Sequence, residues 1–182
     1  MVGRVILLTG KMGSGKSTVA DRLVEEHEFW RVKLAKPLKD MIRTLGVPEE
    51  YIEGDLKNTP CQQLNGHTAR YAMQTLGTEW GRNLLGNDFW TNIAVDRIRR
   101  AISYGEDIVV DDMRFHNELE ALKKAFPESK AYRIHRPKDY EMPEWHASEQ
   151  EIYDLAVDHV IFNDGSLEKL NSITDQMVKA YV

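Results

Sequence analysis

Gly10, Gly15, Lys16 and Ser17 stand in the octet GKMGSGKS, which satisfies the pattern G-x-x-x-x-G-K-[ST] in full. Glycines at these positions let backbone N–H groups turn inward around phosphate oxygens, and a helix starting behind them adds partial positive charge. The segment expected to hold the phosphates of ATP is therefore Lys11, Met12, Gly13, Ser14, Gly15, Lys16, Ser17 and Thr18. Lys16 would reach the β- and γ-phosphates, and Ser17 would hold Mg²⁺. Such a loop needs a carboxylate near its metal, ordinarily at the C-terminal end of a neighbouring buried strand. IVVDDMR supplies Asp111 and Asp112. Asp112 is the preferred carboxylate, acting on the metal through water, while one of the two could merely cap the next helix. Arg114, two residues on, could clamp a phosphate with both arms of its guanidinium.

These groups need elements to position them. RVILLT (residues 4–9) is a short continuous apolar run ending in the glycine-rich turn, as a strand buried on both faces should be. Val19, Ala20, Leu23, Val24 and His27 then keep helical spacing. FWRVKLA (29–35) reads as a second strand, and PLKDMIRTLG as a short helix begun by proline and stopped by glycine. Residues 47–69 are polar and turn-rich with no clear period, and are expected to be mobile and largely irregular. NDFWTNIAVDRIRRAISYG reads as a helix capped at Asp88 or Thr91 and ended by Gly105. DIVVDD reads as a strand, followed by a helix from about 117 to 125 that Pro127 stops. KAYRIHR reads as a strand, PKDYEMPEWHA as a loop, SEQEIYDLA as a helix, DHVIFN as a last strand and SLEKLNSITDQMVKAYV as a closing helix. Strands alternating with helices predict an α/β fold with right-handed crossovers and a parallel sheet covered on both faces.

At 182 residues and 42% hydrophobic, the chain suits one domain with a proper core. Twenty-four basic against 29 acidic side chains give a net charge of -5, which argues against a platform for nucleic acid or an anionic membrane. Cys61 is the only cysteine, so no internal disulfide or thiolate zinc cluster can form. The opening MVGRVILLTG lacks the marks of a signal peptide, and no run of about 18 apolar residues occurs, so a cytoplasmic location is expected.

A second segment could grip an anion. In RYAMQTLGTEWGR (70–82), a helix at 100° per residue places Arg70, Gln74, Thr78 and Arg82 on one side, with Ala72, Met73, Leu76 and Trp80 on the other. Gly77 and Gly81 weaken the helix, and a solvated face over a buried stripe explains the pattern equally well. A GTPase would carry a base-reading N/T-K-x-D motif, and none occurs. Phosphoryl transfer to a small acceptor instead needs arginines around the migrating group and exclusion of water. Arg70, Arg82, Arg114, Arg133 and Arg136 have the distribution of a kinase.

AKPLK (35–39), RYAMQTLGTEWGR…GNDFW (70–90), VVDDMRFHNELEAL (109–122), HASE (146–149) and IFNDGSLEKL (161–170), in this order after the loop, resemble the bacteriophage-type deoxynucleoside monophosphate kinases. The resemblance implies a single domain over 1–182 with the P-loop nucleoside monophosphate kinase fold, a three-layer sandwich around a central parallel sheet. It also implies a helical acceptor-binding region near 36–90 and a short lid near 136–149. The implied reaction moves the γ-phosphoryl of ATP to a deoxynucleoside 5′-monophosphate, with Mg²⁺, on small nucleotides alone, in the cytoplasm or in a host's cytoplasm if the chain is of phage origin. A homodimer stays open.

In that frame Arg70 and Arg82 lie near the acceptor's phosphate, and Gln74 offers its amide to a base edge. Lys39 adds positive potential with Lys36 and Arg43, unless that stripe is simply solvated. Trp80 is expected in the core, whereas Trp90 could stack on a base. Arg136, and Arg133 less directly, would reach the transferring phosphoryl when the lid closes; Arg133 could instead face solvent. His146 reads as a lid or hinge contact, Ser148 with Glu151 as a capping box, and Ser166 as the cap of the last helix. The NDGS loop (163–166) would pass beside the adenine. Lys16, Asp112, Arg114 and Arg136 are thus the expected catalytic set. Similar opening and closing motifs in dephospho-CoA kinases leave that acceptor, or another small metabolite, as the alternative. A regulatory module that binds ATP without turnover is a further one.

Overall fold

The computed structural model describes residues 3–137 and 152–181. The chain forms two compact units, one of residues 1–33 with 94–182 and the other of residues 34–93.

The first unit holds a five-stranded sheet in the order β2-β3-β1-β4-β5, built from β1 (Val5–Thr9), β2 (Phe29–Val32), β3 (Asp107–Val110), β4 (Lys130–His135) and β5 (His159–Phe162). Every neighbouring pair is parallel, with Leu7 opposite both Val110 and Ala131. All five residues of β1 are buried, which is why its sequence lacks the alternation of a half-exposed strand. Ile6, Leu8, Val109 and Ile134 pack with Val19, Ala20 and Leu23 of α1 (Lys16–His27) and Leu170, Met177 and Val178 of the closing helix α7 (Leu167–Lys179). Val24 of α1 is 37% exposed, so the expected apolar face is narrower than its spacing suggested. His27 accompanies Arg22 in an ion pair with Asp175 of α7. Ser166 caps α7 through the N–H of Lys169 at 3.3 Å. Helix α6 (His116–Ala125) joins β3 to β4.

The second unit contains α2 (Lys36–Thr44), α3 (Glu49–Ile52), α4 (Ala69–Thr75) and the start of α5 (Phe89–Ser103). Here the structure overturns the expectation for residues 47–69. They form α3, two 3₁₀ turns at Asp55–Asn58 and Gln62–Leu64, and a bridge between Pro60 and Thr68. Val47, Ile52, Cys61 and Ala69 close a small core with Ile42 of α2. Four apolar anchors spread over so many residues give no period of 2 or 3.6, so periodicity could not reveal them. Cys61 is fully buried there.

The lid segment beyond Pro137, with His146 and Ser148, and Glu151 after it, lies outside the described residues. Among those described, no helix is long and apolar enough to cross a membrane.

Candidate active site

The loop after β1 is shaped by its glycines. Gly10, Gly13 and Gly15 have φ of 145°, 80° and 106°, a region that side chains rarely enter. A Cβ on Gly10 would fall 2.4 Å from the carbonyl oxygen of Ile134 on β4, so β1 and β4 leave room for backbone alone. The Ser14 N–H closes the turn onto the carbonyl of Lys11 at 3.2 Å. Lys16 opens α1, and its ammonium donates to the carbonyls of Gly10 at 2.5 Å and Lys11 at 2.6 Å. Its charge is thereby held over the loop itself, where an anion entering the loop would meet it. Ser14 Oγ is buried with no hydrogen-bond partner among the described residues, a polar atom inside the loop that fits an oxygen-rich ligand. Ser17, in the first turn of α1, is exposed. Met12 is 75% exposed at the rim, whereas the Lys11 side chain is buried, its ammonium 5.1 Å from the centre of the Tyr153 ring.

The two aspartates after β3 have different surroundings. Asp111 is 5% exposed and pairs with Arg31 on β2, which also pairs with Asp21 on α1. Asp112, one residue on, is partly exposed. Thr9 donates its hydroxyl to the carbonyl of Met113 at 2.9 Å, joining the ends of β1 and β3. The start of α6 is held by Glu118, whose carboxylate accepts from the N–H groups of Arg114 at 2.8 Å and Phe115 at 3.1 Å. That role of Glu118 went unread in the sequence, although a glutamate in a helix's first turn is its usual signal.

The arginines of this unit also differ. Arg114 is exposed beyond β3. Arg136, at the end of β4, brings its guanidinium 3.4 Å from the carbonyl of Gly13 and so stands at the loop's rim. Arg133, within β4, is partly buried. It donates to the carbonyl of Leu155 at 2.5 Å and lies over Tyr153, and burial holds its guanidinium below the usual value. Asn163, given no individual role by the sequence, donates its side-chain amide to the carbonyl of Ser14 at 2.8 Å.

In the second unit, α4 runs on into a π-helical stretch, Leu76–Leu85. The 100° wheel therefore holds only to Thr75, and Thr78 and Arg82 do not follow the line drawn through Arg70 and Gln74. Arg70, Gln74 and Thr78 are exposed, and Arg82 is partly buried. The widened turns serve Trp90. Its indole N–H donates to the carbonyl of Gly77 at 2.9 Å, and a Cβ on Gly81 would fall 2.2 Å from that nitrogen. Trp90 is 5% exposed, which corrects the expectation that it stacks on a base. Trp80 takes the opposite correction: it is 38% exposed, against Phe89 and Trp90. The basic stripe of α2 is matched by acids. Lys39 donates to Glu53 at 2.7 Å, Lys36 to Asp40 at 2.9 Å and Arg43 to Glu49 at 2.7 Å. Lys39 thus shares its charge with a carboxylate and offers an acceptor less potential than its position suggested.

Among the described residues, no group of three or more His, Cys, Asp or Glu could hold a metal by itself. A magnesium ion that keeps most of its waters and takes one hydroxyl, one carboxylate and nucleotide oxygens needs no such group, and Ser17 and Asp112 are the hydroxyl and carboxylate that would supply it.

A parallel five-stranded sheet, with helices packed on it and a glycine-rich loop leading from its central strand into a helix, defines a P-loop kinase fold. Solved structures agree. The dephospho-CoA kinase from Campylobacter jejuni superposes with a TM-score of 0.57 at 12% identity, covering 96% of this chain and 95% of that one. Shikimate kinase from Aquifex aeolicus gives 0.54 at 12%, covering 97% and 96%. At such identities the likeness is one of fold. Sequence goes further: the family model described as deoxynucleotide monophosphate kinase matches residues 49–173. An Acanthamoeba polyphaga mimivirus protein named "Putative deoxynucleotide monophosphate kinase" is 30% identical over 181 residues, covering 92% of each chain. The chain belongs to the deoxynucleotide monophosphate kinase family.

Proposed function

We propose that the protein transfers the γ-phosphoryl group of ATP to a deoxynucleoside 5′-monophosphate, releasing ADP and the deoxynucleoside diphosphate. Family membership supports the reaction class, and the observation that carries the donor is the Lys16 ammonium held over a loop of left-handed glycines at the start of α1. An oxygen of the acceptor's phosphate attacks the γ-phosphorus while the bond to the β,γ-bridging oxygen breaks. That phosphate is already ionised near neutral pH, its second proton leaving at about pH 6, so no strong base is needed and electrostatics dominates.

The backbone of Lys11 to Thr18 holds the donor's phosphates, and Lys16 leaves its carbonyls to meet their charge. Mg²⁺, when bound, neutralises charge on the β- and γ-oxygens; Ser17 would hold it directly and Asp112 through water. Arg136 and Arg114 stabilise the transferring group. Arg70 and Arg82 attract the acceptor's phosphate, and Gln74 reads its base. The substrates are small nucleotides rather than nucleic acid or membrane, and the setting is the cytoplasm.

A coupled ATP-consumption assay over deoxy- and ribonucleoside monophosphates, with dephospho-CoA as an added arm, tests this. Turnover on at least one deoxynucleoside monophosphate is expected. Phosphorylation of dephospho-CoA alone would overturn the acceptor, and ATP binding without turnover on any acceptor would overturn the reaction.

A further inference from the structure

We propose that Asn163 is a positioning residue for the phosphate-binding loop, acting through the loop's outward carbonyls rather than on the nucleotide. Asn163 follows β5, and its own N–H donates to the carbonyl of His135 at 2.7 Å, which fixes its backbone at the ends of β4 and β5. From that anchor its side-chain amide donates to the carbonyl of Ser14 at 2.8 Å. The orientation of the amide is settled by this contact, since the reverse would set two acceptors face to face. Gly15 admits the approach: a Cβ there would lie 2.6 Å from the Asn163 nitrogen. Residues 148 positions apart in sequence are thus fitted to one another.

The consequence for the loop follows from peptide geometry. A peptide plane carries its carbonyl and its next N–H on opposite sides, so a donor that holds the Ser14 carbonyl outward turns the Gly15 N–H the other way, into the loop. Arg136 meets the Gly13 carbonyl at 3.4 Å, and Lys16 meets those of Gly10 and Lys11. Lys16 must release its pair to serve a phosphate and Arg136 is a long contact. Asn163, neutral and rooted in the sheet, is the holder that stays when a ligand arrives. This preorganises the amides for anions, and preorganised donors are worth more than ones that must turn on binding.

The inference rests on the loop's being a nucleotide site only for one of its readouts. Asn163→Ala deletes the donor, and Asn163→Asp places a carboxylate against the Ser14 carbonyl; both keep the backbone bond to His135. In the full chain without nucleotide, hydrogen exchange of the peptide covering residues 10–17 is expected to quicken severalfold in both variants. ATP affinity by calorimetry should weaken about 3- to 10-fold in the alanine variant and further in the aspartate variant, with the acceptor's KM within about twofold and melting temperature unchanged. Wild-type exchange in both variants, or a matched loss of donor and acceptor affinity, would overturn the proposal. If wild-type protein neither binds ATP nor turns over, the proposed function falls, while the exchange result still decides the role of Asn163. Should the aspartate variant fail to fold, the alanine variant decides alone.

Discussion

The loop of residues 10–17 and the helical segment of residues 69–85 are both candidates for gripping phosphate, yet they are built on opposite plans. The loop grips with its backbone, shaped by left-handed glycines and held by contacts to its carbonyls. The helical segment offers side chains, Arg70 and Gln74 exposed on a surface whose neighbours carry paired charge. Apart from Lys16, whose ammonium stands over it, a backbone site of this kind depends on its glycines and tolerates change at its other positions. A side-chain site can be altered one group at a time, and so suits a substrate whose identity varies.

The largest effect that would break this contrast is Lys16→Ala, expected to lower turnover about 10²- to 10³-fold in the coupled assay, as loss of a charged transition-state donor does. Near-normal turnover would remove the loop from the chemistry. Asp111→Asn should act on stability instead. It leaves Arg31 partly buried with Asp21 as its acidic partner among the described residues, and a loss of about 2–3 kcal/mol is expected in urea unfolding, with the ATP KM little changed in the folded enzyme. A collapse of kcat without loss of stability would mean that Asp111, not Asp112, serves the reaction. Gly81→Ala drives a methyl into the Trp90 indole and should cost about 1–3 kcal/mol by the same measurement.

Within the helical unit, Arg70→Ala is expected to raise the acceptor's KM about tenfold, against about twofold or less for Lys39→Ala, whose charge Glu53 already shares. Equal effects would show that the ion pair opens in the complex. The smallest effect concerns pH. Hydrogen bonds from Arg22 and His27 lower the Asp175 carboxyl from 3.8 to about 2. A carboxyl lowered on folding contributes stability above its ordinary value and loses it as pH falls toward the lowered one. The difference in melting temperature between wild type and Asp175→Asn should therefore shrink as pH falls below about 5 and vanish by about pH 1. A difference that persists undiminished at about pH 1 would mean that the asparagine disturbs packing rather than charge.

The same contrast explains how much could be read beforehand. The strand, loop and helix around Gly10–Ser17 were legible because each is a local pattern: an apolar run, glycines at fixed spacing, then a 3.6 period. The parallel sheet followed from alternation of such patterns, and all five strands were placed. Residues 47–69 failed because their small core draws on Ile42 and on anchors too far apart to repeat. The two tryptophans exchanged places for a related reason. Burial of Trp90 depends on a π-helical notch at Gly81, and the helical wheel that put Trp80 inside assumes a pitch that ends at Thr75. The pairing of Lys39 with Glu53 joins α2 to the residue after α3, which spacing within one helix cannot show.

The notch at Gly81 has a further consequence for how this chain could diverge. Because the indole of Trp90 occupies the volume that any side chain at position 81 would need, the two sites constrain each other as a matched set. A relative with a smaller ring or an aliphatic group at position 90 is released from the glycine. Its widened turns, having lost the indole N–H that donates to the Gly77 carbonyl, could relax to ordinary pitch and rotate every exposed side chain beyond them to a new bearing.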